Sequence, residues 1–115
     1  MNKNLTDKTL GDSDLHHAAK ENREDIVSAL IAIGANIEAE DHEGWTPLHY
    51  AARTDSLEVA GLLIQSGAKV DVSNDTGFTP LHWAARMESF EVAKLLIESG
   101  ANIEAEDYEG WTPLS

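Results

Sequence analysis

The stretch Gly44-Trp45-Thr46-Pro47-Leu48-His49-Tyr50-Ala51-Ala52 decides how this chain is read, because it returns 33 residues later as Gly77-Phe78-Thr79-Pro80-Leu81-His82-Trp83-Ala84-Ala85. Its chemistry is that of a turn followed by a helix. In Asp41-His42-Glu43-Gly44 an aspartate at the first position and a glycine at the fourth suit a type I turn. Thr46 suits an N-cap and Pro47 the first helical position. Leu48, Ala51 and Ala52 then fall at helical spacing, which predicts a short helix running to about Thr54. A second apolar pattern, Leu57, Val59, Ala60, Leu62, Leu63 and Ile64, predicts another helix, stopped where Gly67 can take the left-handed conformation. The paired alanines leave room for neighbouring helices to approach closely. The turn segments are too short and polar for strands.

Working outward, Gly11, Gly44, Gly77 and Gly110 keep the same 33-residue spacing, as do Gly34, Gly67 and Gly100. Residues 44–76 and 77–109 share 18 of 33 positions, and residues 34–48 match 100–114 everywhere except at His42 and Tyr108. A fixed period of this size means stacked supersecondary units, none of which buries its apolar face alone. The expected organisation is a polar lead over 1–10, units over 11–43, 44–76 and 77–109, and the start of a further unit over 110–115. At 115 residues the chain has the size of one small domain with a modest core.

These motifs resemble the ankyrin-repeat signature, and Leu62-Leu63-Ile64-Gln65-Ser66-Gly67-Ala68 is similar to the family's second-helix ending. The resemblance covers residues 11–114 in register. It implies an all-α ankyrin-repeat solenoid, in which helix-turn-helix pairs stack and β-turn fingers project from them. The chain departs from the family pattern in three ways. Ser13-Asp14 stands where the family has Thr-Pro. Asn22, Asp55 and Glu88 replace the glycine after the first helix; Asn and Asp tolerate the left-handed region better than Glu, so the third inter-helix turn is expected to be strained. Finally, no polar capping unit follows residue 109, so the second helix of the third unit, Leu95 and Leu96 included, is expected to lack cover.

Bulk composition narrows the chemistry. With 21 acidic and 8 basic residues the formal charge is −13. That field repels phosphate backbones and anionic membranes, and favours a protein partner with a basic or mixed-charge surface. The absence of cysteine removes disulfides, thiolate metal sites and thiol nucleophiles. The polar residues 1–10 do not read as a signal peptide, and the longest apolar run, Ala29 to Ile33, is too short for a membrane span, so a cytoplasmic or other intracellular location is expected.

No catalytic, cofactor or metal site is read. His16, His49 and His82 recur at the signature histidine, where the resemblance implies a structural role: bonding the unit's own threonine and the neighbouring turn. Units about 8–10 Å apart hold such histidines too far apart to share a zinc with ~2 Å bonds. Asp71, Ser73 and Asp75 begin like a calcium loop, but Thr76 and His82 stand where that loop needs glycine and glutamate. No nucleophile elbow and no glycine-rich phosphate loop is present.

The resemblance places the binding surface on the fingers and the exposed side of the first helices. Position by position this gives His42, Trp45, Tyr50, Arg53, Thr54, Asp75, Phe78, Trp83, Arg86, Met87, Tyr108 and Trp111 as partner-binding residues. Two columns stand out from the residues themselves. Trp45, Phe78 and Trp111 form an aromatic row, open to two readings: partner contact or packing under the next finger. Lys20, Arg53 and Arg86 form a basic row, explained either by partner contact or by placement at helix C-termini. The expected function is a non-catalytic protein-binding module. The alternative is a self-associating unit that stacks or dimerises through its C-terminal end.

Overall fold

A computed structural model describes residues 12–114. The lead over 1–10, Gly11 and Ser115 lie outside the described residues. Six helices follow in order: α1 (Asp12–Lys20), α2 (Glu24–Ala32), α3 (Pro47–Arg53), α4 (Leu57–Gln65), α5 (Pro80–Arg86) and α6 (Phe90–Glu98). No strand occurs among the described residues, and no helix there is long and apolar enough to cross a membrane. The first helices α1, α3 and α5 pack side by side, with α2, α4 and α6 behind them. The result is an elongated body of 47 × 25 × 20 Å.

Local chemistry sets each boundary. Thr46 is extended (φ −95°, ψ 168°), and its side chain accepts from the His49 backbone N–H, with Pro47 in the first turn. Thr79, His82 and Pro80 repeat this in α5. At Ser13-Asp14 the outcome differs: α1 starts at Asp12, two residues earlier than the repeat predicts. Proline at 47 or 80 lacks an N–H and drives the preceding residue out of helical geometry, whereas Asp14 imposes neither constraint.

All six helices end the same way. The N–H groups of Arg23, Ser56 and Ser89 return to the carbonyls of Ala18, Ala51 and Ala84, and those of Ala35, Ala68 and Ala101 to Leu30, Leu63 and Leu96. This pattern requires a left-handed residue just before the donor. Gly34, Gly67 and Gly100 supply it after the second helices, but Asn22 (φ 54°), Asp55 (φ 56°) and Glu88 (φ 59°) supply it after the first. Glu88 therefore holds a conformation that costs a side-chain-bearing residue about 1–2 kcal/mol. Glu88→Gly is expected to stabilise the chain by about 1 kcal/mol, part of the relief being offset by the greater freedom of glycine in the unfolded chain. A urea midpoint that falls on this substitution would remove the strain from the account.

The core follows the period. Leu15, Leu48 and Leu81 line one column and Ala18, Ala51 and Ala84 the next, all buried. Leu30, Leu63 and Leu96 join them from the second helices. The expected exposure at the C-terminal end falls on different residues from those anticipated. Leu96 is fully buried and Leu95 half-buried, because both turn inward onto α5 and α4. The residues left open are Phe90 (70% exposed), Ile97 (49%) and Ile103 (44%), whose counterparts Leu57, Ile64 and Val70 are half-buried in the preceding unit.

Candidate functional site

Each finger is built by one residue. The Asp41 carboxylate accepts from the N–H groups of Glu43 and Trp45, and the Gly44 N–H closes the turn on the Asp41 carbonyl. Asn74 and Asp107 do the same for the next two fingers. Successive fingers are then bonded tip to tip, Asp75 N–H to the Glu43 carbonyl and Tyr108 N–H to the Thr76 carbonyl. This approach leaves no room for a side chain at Gly77 (φ 83°), where an added Cβ would lie 2.7 Å from the Tyr108 backbone nitrogen.

The signature histidines stitch each unit to the next finger. His49 Nδ1 accepts from the Thr46 N–H at 3.0 Å while Nε2 meets the Phe78 carbonyl at 2.9 Å. His82 is held by Thr79 and the Trp111 carbonyl in the same way, and His16 Nε2 reaches the carbonyls of Ala39 and Trp45. In His49 an N–H donor at Nδ1 and a carbonyl acceptor at Nε2 fix the neutral ring with its proton on Nε2. Burial pushes the His49 pKa down to about 4, against a smaller upward pull from the Phe78 carbonyl. The structural role expected for His49 and His82 is therefore the observed one. It has a further consequence: the carbonyls they hold belong to Phe78 and Trp111, so these histidines also position the aromatic row. Among the described residues no group of three His, Asp or Glu is placed to hold a metal ion.

The aromatic and basic rows meet at Arg53 and Arg86. Trp45 packs on Tyr50 (4.7 Å between centroids) and on Trp83 (4.8 Å), Trp83 on Phe78 (5.1 Å), and Phe78 stacks on His82 (5.0 Å, 20°). Arg53 lies 5.7 Å from the centroids of both Trp45 and Trp83, and Arg86 lies 5.2 Å from that of Phe78. Both arginines also end their helices, so cation–π contact and helix-terminus placement act together. Packing and exposure likewise coexist along the aromatic row: Trp45 and Phe78 are half-buried, while Trp111 is 55% exposed. Tyr50 donates to the Asp41 carboxylate. Burial opposes charge on Asp41, but the bonds from Tyr50, Trp45 and Glu43 outweigh it and hold the carboxyl below its ordinary range. Burial and the same bond raise the Tyr50 phenol.

Seven of the expected partner-binding residues line one groove of about 740 Å³: Trp45, Asp75 and Phe78 with Trp83 and Arg86, then Tyr108 and Trp111. His42, Tyr50, Arg53, Thr54 and Met87 lie outside its lining. Thr54 turns its hydroxyl back onto the Tyr50 carbonyl and Ser56, Tyr50 sits under Trp45, and Met87 is exposed beyond the end of α5. The groove also takes in Glu43, Asn74, Thr76, Asp107 and Glu109. Of these, Asn74 and Asp107 stand one and two periods after Asp41, the residue read as opening a turn, and that register is the signal that puts them on the groove wall. The Trp83 indole N–H is buried without a hydrogen-bond partner, whereas Tyr50, one period earlier, satisfies its hydroxyl on Asp41.

A family model described as ankyrin repeats in three copies matches residues 1–74, and another described as ankyrin repeats in many copies matches residues 55–97. A search of curated proteins finds no match.

Proposed function

We propose, since the chain belongs to the ankyrin-repeat family, that it is a non-catalytic module which binds another protein along the finger and inner-helix face. Ankyrin repeats are generally protein–protein interaction modules and typically non-catalytic. The observation that carries the reading is the groove: three successive fingers and α5 contribute to one continuous surface of aromatic and charged side chains. Aromatic and arginine side chains dominate interface energies when desolvated. The formal charge of −13 favours protein over nucleic acid as the partner.

With a captured partner, Arg53→Ala and Phe78→Ala are expected to weaken binding by about 2 kcal/mol, roughly thirtyfold. Glu58→Ala and Lys94→Ala, on the second helices, should leave it unchanged. Phe78 also packs on His82, so its loss of binding is read beside an unchanged helical circular dichroism spectrum. The reverse ranking would put the interface on the opposite face.

A second reading, self-association, is favoured by a separate observation. Phe90, Ile97, Ile103 and Leu114, the last 84% exposed, line an apolar recess of about 300 Å³ with Leu81 and Pro113. Burying such a patch against a second copy removes apolar area from water. Sedimentation velocity should show the mass rising with concentration, and Phe90→Glu should abolish the rise. A monomer at every concentration would eliminate this reading and leave the groove untouched.

A further inference from the structure

We infer that the groove takes an extended, basic segment of the partner, with lysine or arginine at every third position. The inference rests on the partner-binding reading above and adds the chemistry of the ligand. Three fingertip carboxylates, Glu43, Asp75 and Glu109, border the groove, and none has an ion-pair partner among the described residues. The fourth acid on the wall, Asp107, is turned to its own finger and accepts from the N–H groups of Glu109 and Trp111. The one cation on the wall, Arg86, already lies over Phe78. The groove is therefore acidic at its rim.

Its floor is built for cations. The protein places its own guanidinium groups on Trp45, Trp83 and Phe78. At the next finger Trp111 and Tyr108 are 55% and 76% exposed, and among the described residues no cation lies over either ring. An aromatic face flanked by a carboxylate attracts an ammonium or guanidinium through both the ring quadrupole and charge. Glu109, between Tyr108 and Trp111 in sequence, supplies that carboxylate.

Spacing follows from geometry. Stacked helix pairs advance by about 10 Å, and an extended segment in the polyproline II conformation advances about 3.1 Å per residue with three residues per turn, so every third side chain returns to one face about 9 Å further on. One side chain in three then meets each successive finger, while the residues between project elsewhere. Between successive fingertips the Asp75 and Tyr108 N–H groups and the Glu43 and Thr76 carbonyls are already bonded to one another. Recognition therefore falls to side chains, and the salt dependence should be marked.

The test uses fluorescein-labelled nonapeptides and the whole chain, read by fluorescence anisotropy. One peptide carries lysine at positions one, four and seven among glycine and serine; a second carries the three lysines consecutively; a third carries glutamate in their place. The spaced basic peptide is expected to bind, at least about threefold more tightly than the consecutive one, and the acidic peptide not at all. Neutralising the rim with Glu43→Gln, Asp75→Asn and Glu109→Gln together should weaken binding about tenfold or more, as should Trp111→Ala, which keeps the backbone carbonyl that His82 uses; melting curves confirm that both variants fold. Equal binding of the two basic peptides overturns the spacing. Preferential binding of the acidic peptide, or no binding by any, overturns the inference while a folded partner on the same groove remains open to the substitutions given above. Binding of the basic peptide that survives every groove substitution overturns the inference and counts against the groove itself.

Discussion

Gly77→Ala is expected to destabilise the chain by about 3 kcal/mol, whereas Gly67→Ala should cost only about 1–2 kcal/mol. Both glycines hold positive φ, 83° and 98°, so both substitutions force a side chain into the left-handed region. The difference lies in the surroundings. A Cβ at Gly67 meets nothing within 4 Å, but at Gly77 it lies 2.7 Å from the Tyr108 backbone nitrogen and 3.0 Å from the Asp107 Cα. Backbone atoms of a turn cannot swing aside as a flexible side chain does, so the finger at 107–111 must shift as a unit. The Tyr108-to-Thr76 backbone bond and the groove wall would go with it. Urea unfolding of the two variants measures the costs. Equal losses would show that only the local φ matters and that the fingers are not tightly joined.

The second large effect is the pH dependence carried by His49. Its pKa in the folded chain is lowered from 6.5 to about 4 by burial. The sign follows directly: above about pH 6.5 the ring is neutral in both states and its contribution is complete. As pH falls through 6.5 towards 4, the unfolded chain takes up a proton that the folded chain refuses, and stability is lost. A shift of this size corresponds to about 3 kcal/mol across that window. His49→Ala strands the Thr46 N–H and the Phe78 carbonyl, and is expected to cost about 3 kcal/mol at pH 7.5. Since the variant has no imidazole to protonate, the gap between it and the parent should narrow as the pH is lowered to 5. Comparing the two chains at each pH cancels the easing of acidic self-repulsion that both undergo. A gap that widens towards pH 5 would mean that the folded state binds the proton, contrary to the bonding pattern around His49.

The sequence made the architecture legible because the period is written in residues with little conformational choice. Pro47 and Pro80 start helices, Gly34, Gly67 and Gly100 end them, and Asp41, Asn74 and Asp107 open turns. Where such a residue is missing, the reading slipped: at Asp14 nothing blocks extension, and α1 begins earlier than the repeat predicts. The strain at Glu88 was readable for the same reason, as a side chain placed where the chain must turn left-handed.

Within the site, the sequence located the face but not its internal wiring. The aromatic and basic columns are visible at their spacing, yet that Arg53 lies across two rings from different units depends on packing between α3 and α5. The exposed end was misplaced among the apolar residues of α6. A helix with apolar residues at 90, 92, 93, 95, 96 and 97 offers several candidates for its open side, and only the stack shows that Leu96 faces inward and Phe90 and Ile97 outward.

The central claim is that a partner seats on the fingers and first helices, and amide hydrogen exchange of the chain with and without a captured partner tests it most directly. Slowed exchange on complex formation is expected in the fingers, around 43–45, 74–78 and 107–111, and in α3 and α5. Exchange in α4 and α6 should change little. Protection concentrated in α4 and α6, with the fingers exchanging as they do in the free chain, would contradict the account.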